Sequence, residues 1–419
     1  MKLGIILGAG FEEKEFFDTF KEDEINTPFG KPSSPIITGK VHGINISVIL
    51  RHGKKHELPP SHVNDRANIF ALKYEGCKHI ISISDMISLK DEIKKGDFLI
   101  PSQFIDFTKQ RKLSFFEKFE FRPIHAQMSE PFSDFLRKKL EDSCKEMDLS
   151  FRKNATIITV EGPRFPTKAE NRMFRQFGDS VDMSIAPEAI LANEAEVEYA
   201  CLGLIADCDS WASQEPVNYA EIRKTISTNT EKIKKILDKV AELFSEDRKK
   251  KDIKEMIKVI DFPKTGVAFR DVSPALGSAE GLKKIIDFLH RRYKNEKLDI
   301  VAGIGAGSFG IAGILAERLG AGFVMLQDPK ELAKENTLEV KREEENKAVR
   351  YKQFISKDKK ILLVGEVLAT GETTLAACRF VESLGGKLHE CAFIAELSEM
   401  RGRPRLEINN YAVYSIVDF

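Results

Sequence analysis

The chain has few of the features that staple, charge or anchor a protein. Its 419 residues carry six cysteines (Cys77, Cys144, Cys201, Cys208, Cys378 and Cys391), with no CxxC pair and no histidine cluster at zinc spacing. That excludes a disulfide framework and a structural zinc module, and the thiols read as reduced core filler. Cys208 sits between two aspartates, which raise a thiol pKa and so disfavour it as a nucleophile. Lys plus Arg and Asp plus Glu both count 65, so there is no net pull toward nucleic acid or an anionic membrane. No apolar run approaches the ~20 residues that span a bilayer. Met1-Lys2 leads into a Gly-punctuated strand instead of a secretory h-region, so the expected location is cytoplasmic. No internal repeat relates the two halves, which sets solenoids aside.

What is present is ordinary globular chemistry, with 42% apolar and 31% charged residues over a length that calls for at least two buried cores. Short apolar runs at Leu3 to Leu7, Ile44 to Leu50, His79 to Ile83, Thr156 to Val160 and Tyr199 to Ile205 suit strands covered on both faces. Around Asn218 to Phe244 the period changes: Ile222, Ile226, Ile233, Ile236, Leu237, Val240, Leu243 and Phe244 mark one long amphipathic helix. A charged stretch then begins at Ser245, and residues 246–256 are read as a linker. Strand runs resume at Ile300 to Ile304, Phe323 to Leu326, Ile361 to Val364, Ala392 to Ala395 and Tyr411 to Val417. Helical stretches, Ala279 to Tyr293 and Thr373 to Leu384, lie between them. The expectation is two unlike α/β domains, residues 1–245 and 257–419.

In the first half, Gly8-Ala9-Gly10 directly after a strand is a turn whose amides suit an anion. Thr27 to Pro32, Arg51-His52-Gly53, Glu161-Gly-Pro-Arg-Phe165, Met183 to Glu188 and Asp207-Cys-Asp209-Ser-Trp211 follow in order. This ordered set resembles methylthioadenosine phosphorylase of the trimeric purine nucleoside phosphorylase family, whose members displace a purine from C1′ of a nucleoside with phosphate. The resemblance implies that Gly8, Gly10, Arg51, His52, Ser84 and Ser184 bind phosphate, with Arg51 as a bidentate donor and His52 as an imidazole donor. Met183 would lie against the ribose and Phe165 against the base. His56 and His125 would stand near the 5′-substituent, His125 from a neighbouring subunit. Asp207 and Asp209 match the catalytic pair that recognises a 6-aminopurine and protonates N7 from a desolvated carboxyl group.

Some positions depart from that pattern. Ala9 removes a hydroxyl donor, and Ser84-Asp-Met-Ile-Ser-Leu89 puts Asp85 beside the phosphate pocket and Ile87 where glycine gives the ligand room. The stretch Gly178 to Asp182 is one residue shorter than the resemblance implies. Two readings follow. Either Asp85 turns the reaction toward water, with the carboxylate as base, or phosphorolysis is weakened or lost, which needs fewer coordinated changes.

In the second half, Ile361 to Thr373 sets a Thr-Gly-x-Thr loop between a buried strand and a helix, an arrangement that holds a monophosphate. With Phe262 to Pro274 and Glu396 to Arg403, it resembles the adenine phosphoribosyltransferase family. That implies a 5′-phosphate loop of Ala369, Thr370, Gly371 and Thr373, with adenine held at Phe269 and Arg270. The acidic pair that precedes the loop is Gly365-Glu366 here. The arginine-bearing turn is Gly305-Ala-Gly-Ser-Phe309, and the pyrophosphate cations are Gln327-Asp328. These losses oppose phosphoribosyl transfer, so Mg²⁺ is expected as a cofactor only if this half is active, and no resident metal is expected otherwise. The overall expectation is a protein of purine-salvage descent that recognises an adenine nucleoside or nucleotide and phosphate, but not nucleic acid or membrane. The alternatives are a working bifunctional enzyme that releases adenine and converts it to AMP, and a scaffold that keeps both folds for assembly. Both families oligomerise, which implies a homo-oligomer, up to a hexamer built from trimers and dimers.

Overall fold

A computed structural model of the chain describes residues 2–8, 17, 20–118, 125–208, 219–261, 268–326 and 355–419. The chain forms two compact units, Met1–Glu246 and Asp247–Phe419. Among the described residues no helix is long and apolar enough to cross a membrane. Of the cysteines, all but the exposed Cys208 are buried thiols.

The first unit is built on nine strands: β1 (Lys2–Leu7), β2 (Phe20–Asp23), β3 (Ile36–Val41), β4 (Ile44–Leu50), β5 (His79–Ser88), β6 (Phe98–Phe107), β7 (Phe151–Val160), β8 (Ser180–Asp182) and β9 (Glu198–Cys208). Their order is β2-β3-β4-β1-β5-β8-β7-β6-β9, and β5 also pairs with β9, so β5, β8, β7, β6 and β9 close into a ring. Helices α1 (Asp65–Tyr74), α2 (Asp134–Glu146), α3 (Lys168–Phe174) and α4 (Ile185–Glu194), with α5 (Tyr219–Met256) as far as Glu246, complete the unit. The continuous apolar runs have the burial they call for: Leu3, Ile5 and Ile6 of β1 are fully buried, as are Ile46 and Ile49 of β4. The helical period seen in the sequence also has its physical cause. Ile226, Ile233, Ile236, Leu237, Val240 and Phe244 of α5 all enter the same core as β1 and β4.

Strands β1, β4, β5 and β9 run parallel, so their C-terminal ends share one edge. Crevices at that edge are the usual ligand sites of α/β sheets. Here the edge carries Gly8, Arg51, Ser84 to Ser88 and Asp207.

The charged stretch 246–256, expected as a linker, continues α5 without a break. Lys, Arg, Glu and Asp tolerate a helix without needing a buried face, and Ile253 at its end is fully buried in the core of the second unit.

That unit has a two-stranded ribbon, β10 (Lys258–Asp261) with β11 (Ala268–Asp271). It also has a five-stranded parallel sheet ordered β13-β12-β14-β15-β16. The strands are β12 (Ile300–Ile304), β13 (Gly322–Leu326), β14 (Lys360–Leu368), β15 (Lys387–Glu396) and β16 (Val413–Asp418). Helices α6 (Ser273–Leu276), α7 (Ala279–Tyr293), α8 (Phe309–Leu319), α9 (Glu372–Ser383) and α10 (Gly402–Ile408) complete it. Two apolar clusters contain alternate residues of β14, Leu362 and Val364 in one and Ile361 and Leu363 in the other, as expected of a sheet covered on both faces.

Candidate nucleoside site

The strand ends of the first unit open into a cavity of about 750 Å³, within the range of small-molecule sites. Of the residues expected from the sequence, Gly8, Arg51, His52, His56, Ser84, Phe165, Met183 and Ser184 line it. Asp85 and Ile87 line it too. Ile87 therefore narrows the space at an expected glycine without closing it. Asp207 is not a lining residue, although Ala206 before it and its register partner Ile87 are. His125 is exposed and does not line the cavity, while Gly10 and Asp209 lie outside the described residues.

Arg51 follows β4 directly and is 1% exposed, so its charge must be met inside the protein. Its Nε donates to Glu188 Oε1 at 2.6 Å and its Nη2 to Glu188 Oε2 at 3.3 Å. Nη1 donates to the Ile83 carbonyl at 2.9 Å and Nη2 also to Ser82 Oγ at 2.5 Å. Ser82 Oγ and Tyr199 Oη both donate to Glu188 Oε2 at 2.7 Å. Burial opposes the guanidinium charge, but the neighbouring Glu188 carboxylate outweighs it and raises the Arg51 pKa. Glu188 belongs to the Met183 to Glu188 motif, yet its structural task was not read from the sequence. Its partners come from β5, β9 and the turn after β4.

His52 was expected to donate toward an anion. Its Nδ1 instead contacts the Leu58 carbonyl oxygen at 2.8 Å, a bond only a protonated nitrogen can make, so in the neutral ring Nε2 is an acceptor. Burial, reinforced by Arg51, lowers the His52 pKa to about 4. The ring is therefore neutral near pH 7. His56 packs beside it with ring centroids 4.5 Å apart. Its pKa is also lowered, first by burial and then by Arg223, another lining residue.

A second buried carboxylate, not assigned a role from the sequence, stands under the cavity. Asp182 ends the three-residue β8 and accepts from Thr159 Oγ1 at 2.6 Å and from the Ser184 and Ile185 amides at 2.8 Å each. Ser84 Oγ donates to it at 3.4 Å. The amides at the start of α4, which would suit an external anion, thus already bind an internal one. Burial raises the Asp182 pKa against these bonds. Opposite, Arg51 Nη1 and Asp85 Oδ2 both lie over Gly8, at 3.0 and 3.9 Å from the position a Cβ would occupy there. The cavity is thus lined by Arg51, already paired with Glu188, by Lys55 and Arg223, by the carboxylates of Asp85 and Asp182, by an imidazole acceptor and by the Ser84 and Ser184 hydroxyls.

Asp207 accepts from the Cys208 amide at 2.9 Å and pairs with Lys95 Nζ at 3.2 Å. Lys95 also holds Glu221 at 3.1 Å. The sequence reading had Asp207 in a desolvated pocket and did not foresee this cation. The pairing arises because the loop between β5 and β6 returns beside the start of α5.

In the second unit, Ala369 and Thr370 lie between β14 and Gly371, the residue before α9, so the expected phosphate loop opens onto a helix N-terminus. Gly371 has φ +76°, and a Cβ on it would stand 3.0 Å from the Gly402 carbonyl oxygen. The Gly305–Phe309 turn is also formed, but Glu366 extends over it: a Cβ on Gly307 would fall 2.0 to 2.3 Å from the Glu366 carboxyl atoms. Burial, then Asp271, raises the Glu366 pKa. Arg270 stacks 4.3 Å from the Phe419 ring centroid, and of Phe269 only the backbone, in register with Ile260, is described. Gln327 and Asp328 lie outside the described residues. Among those described, no three His, Cys, Asp or Glu side chains are placed to hold a metal ion together.

The comparisons with known proteins follow the same division. The Phosphorylase superfamily matches residues 2–242, and a Phosphoribosyl transferase domain matches residues 274–417. S-methyl-5′-thioadenosine phosphorylase of Pyrococcus abyssi is 42% identical over 252 residues, 59% of this chain and 95% of its own. The same enzyme of Thermofilum pendens is 40% identical, over 59% and 94% respectively. Among solved structures, methylthioadenosine phosphorylase from Schistosoma mansoni in complex with adenine aligns with a TM-score of 0.56 at 31% identity, covering 58% of this chain and 91% of that one. A methylthioadenosine phosphorylase from an antarctic soil metagenomic library gives 0.56 at 33% identity, over 59% and 87%. The chain thus belongs to the phosphorylase superfamily through its first domain, and a phosphoribosyl transferase domain follows in the same polypeptide.

Proposed function

We propose that the first domain binds an adenine nucleoside in its cavity, with the base toward Phe165 and the ribose on Met183, and that inorganic phosphate is a poor co-substrate there. The relatives named as methylthioadenosine phosphorylases, and the related structure holding adenine, support the ligand class. The observation that carries the rest is that Asp85 lines the cavity together with an Arg51 whose guanidinium is already engaged by Glu188. A unit charge 4 Å from another interacts by about 4 kcal/mol at an effective dielectric of ~20, and phosphate near pH 7 brings up to two such charges. Arg51 offsets little of this, being already matched by Glu188, which leaves Lys55 and Arg223 as the other cations that line the cavity.

For the second domain the reading is a monophosphate site, suited to AMP at Ala369 to Thr373, without phosphoribosyl transfer. Glu366 occupies the space over the turn where pyrophosphate would need donors. The reading that phosphorolysis persists has its own support in the 40 to 42% identity to phosphorylases and in Arg51, Ser84 and Ser184 at the cavity. One experiment separates the two. Calorimetry should show adenosine or methylthioadenosine binding with an affinity that phosphate leaves unchanged. Phosphate-dependent adenine release at ordinary enzymatic rates would instead establish phosphorolysis.

A further inference from the structure

We propose that the mouth of the first-domain cavity recognises an anionic 5′-substituent, so that its preferred ligand is an adenine nucleoside 5′-phosphate, with Arg223 as the residue that selects it. The inference rests on the adenine-nucleoside reading above and names what the 5′ position carries. The groups that line the cavity divide by burial. Arg51, Ser84, Asp182 and Ser184 are buried on its floor, where Glu188 meets Arg51 and where Asp182 accepts from Ser84 Oγ and the Ser184 amide. Asp85 is half-buried. Lys55, His56, Glu57, Arg223 and Ser227 are exposed at the mouth.

At the mouth, the polar groups near Arg223 are answered from within the unit. Glu57 Oε2 accepts from the Lys55 amide at 2.8 Å, its carboxyl group lies over Gly53, 2.7 Å from the position a Cβ would occupy there, and the Lys55 charge faces it. Ser227 Oγ donates to the Lys224 carbonyl at 2.9 Å. Glu221, two residues before Arg223, is held by Lys95 at 3.1 Å. Arg223 differs: its guanidinium makes no hydrogen bond or ion pair to a described residue, yet it lines the cavity and acts on the His56 ring. Its place on α5 is fixed by Ile222 and Ile226, both buried in the core. With the base toward Phe165 and the ribose on Met183, the 5′ carbon is the exocyclic position from which a charged group can reach the mouth. The relatives are named for a nucleoside whose 5′ group is an uncharged methylthio, and such a group would leave the guanidinium unanswered. A phosphate presents oxygens that a guanidinium binds in pairs. Because it is joined to the nucleoside, the contacts of base and ribose hold it there as well. Free phosphate has no such tether.

The test uses the full chain with formycin A, a fluorescent adenosine analogue whose C-glycosidic bond resists cleavage, as the probe of the cavity. AMP, adenosine and methylthioadenosine are each titrated against it at low salt. AMP should displace the probe at a concentration about 10-fold or more below either neutral nucleoside, and the difference should shrink as salt is raised. Arg223→Leu should remove the difference between AMP and adenosine, whereas Arg223→Lys should keep part of it, a dependence on charge that a merely structural role would not give. AMP that leaves the probe in place, being bound only at the second domain, would overturn the proposal. Methylthioadenosine displacing the probe as well as AMP does would also overturn it, as would an AMP preference that survives Arg223→Leu. In each of these cases the nucleoside reading stands. Failure of both formycin A and adenosine to bind would remove that reading, and the 5′-phosphate preference with it.

Discussion

Arg51 and His52 are adjacent in sequence, yet the fold asks opposite things of them. Arg51 is kept charged in the interior by Glu188, so Glu188→Ala leaves a buried cation alone and strips Ser82 and Tyr199 of their acceptor. Losing one partner of a buried pair costs about 3–5 kcal/mol. The loss should appear as a lower urea midpoint of Glu188→Ala, followed by circular dichroism. His52 is kept neutral: its folded pKa of about 4 lies below the ordinary 6.5. Between those pH values the unfolded chain binds a proton that the native site refuses, so its contribution is present above pH 6.5 and is lost as pH falls toward 4. Asp65 works the other way. Burial pushes its pKa up to about 7, so its contribution is present below pH 4 and is lost as pH rises through 7. The two partly cancel in the native chain. The stability advantage of the wild type over His52→Asn should therefore shrink by roughly 3 kcal/mol from pH 7 to pH 4, read from urea midpoints. An unchanged difference would place the His52 charge in solvent. That both residues would lie at one cavity was legible in the sequence, because their motif is local. Glu188 and Asp182 were not legible as structural acceptors, because their partners converge from separate strands.

Among the elements, long apolar strands and the amphipathic part of α5 were plain in the sequence because one period governed each. β8 escaped notice since three residues carry no period, yet its register with Ile87 and Ile158 is what brings Asp182 under the cavity. The end of α5 escaped for the opposite reason: its charged residues gave no burial signal, although nothing in them opposes a helix. In the second unit, the β14–α9 turn depends on Gly371 in the left-handed region and on close approach to the Gly402 backbone. A side chain there costs about 1–2 kcal/mol from the backbone alone, and the contact adds to it. Gly371→Ala should lower the melting temperature of the second unit and abolish its stabilisation by AMP, measured by calorimetry at fixed AMP concentration. Retention of the AMP shift would separate nucleotide binding from this loop.

At the scale of the whole molecule, the order of the two domains was readable from motifs, because glycine turns and their flanking strands are short-range features. Whether their chemistry survives depends on which charges meet in space. The order suggests a relay in which adenine leaves the first site and becomes AMP at the second. Glu366 argues against the second half of that relay. Its carboxylate lies over the Gly307 backbone, and the turn from Gly305 to Phe309 contains no basic side chain to offset it. A pyrophosphate leaving group needs fixed cations there. The 5′-phosphate loop has no such conflict, since its donors are backbone amides and hydroxyls at the start of α9. Adenine and AMP should thus behave differently toward the same domain. With adenine, phosphoribosyl pyrophosphate and Mg²⁺ present together, the adenine should persist and no AMP should form above the uncatalysed background. AMP added directly should still raise the melting temperature of the second unit. Chromatography of the reaction over time gives the first result and calorimetry the second. AMP formation at ordinary enzymatic rates would mean that Glu366 moves aside when the diphosphate binds.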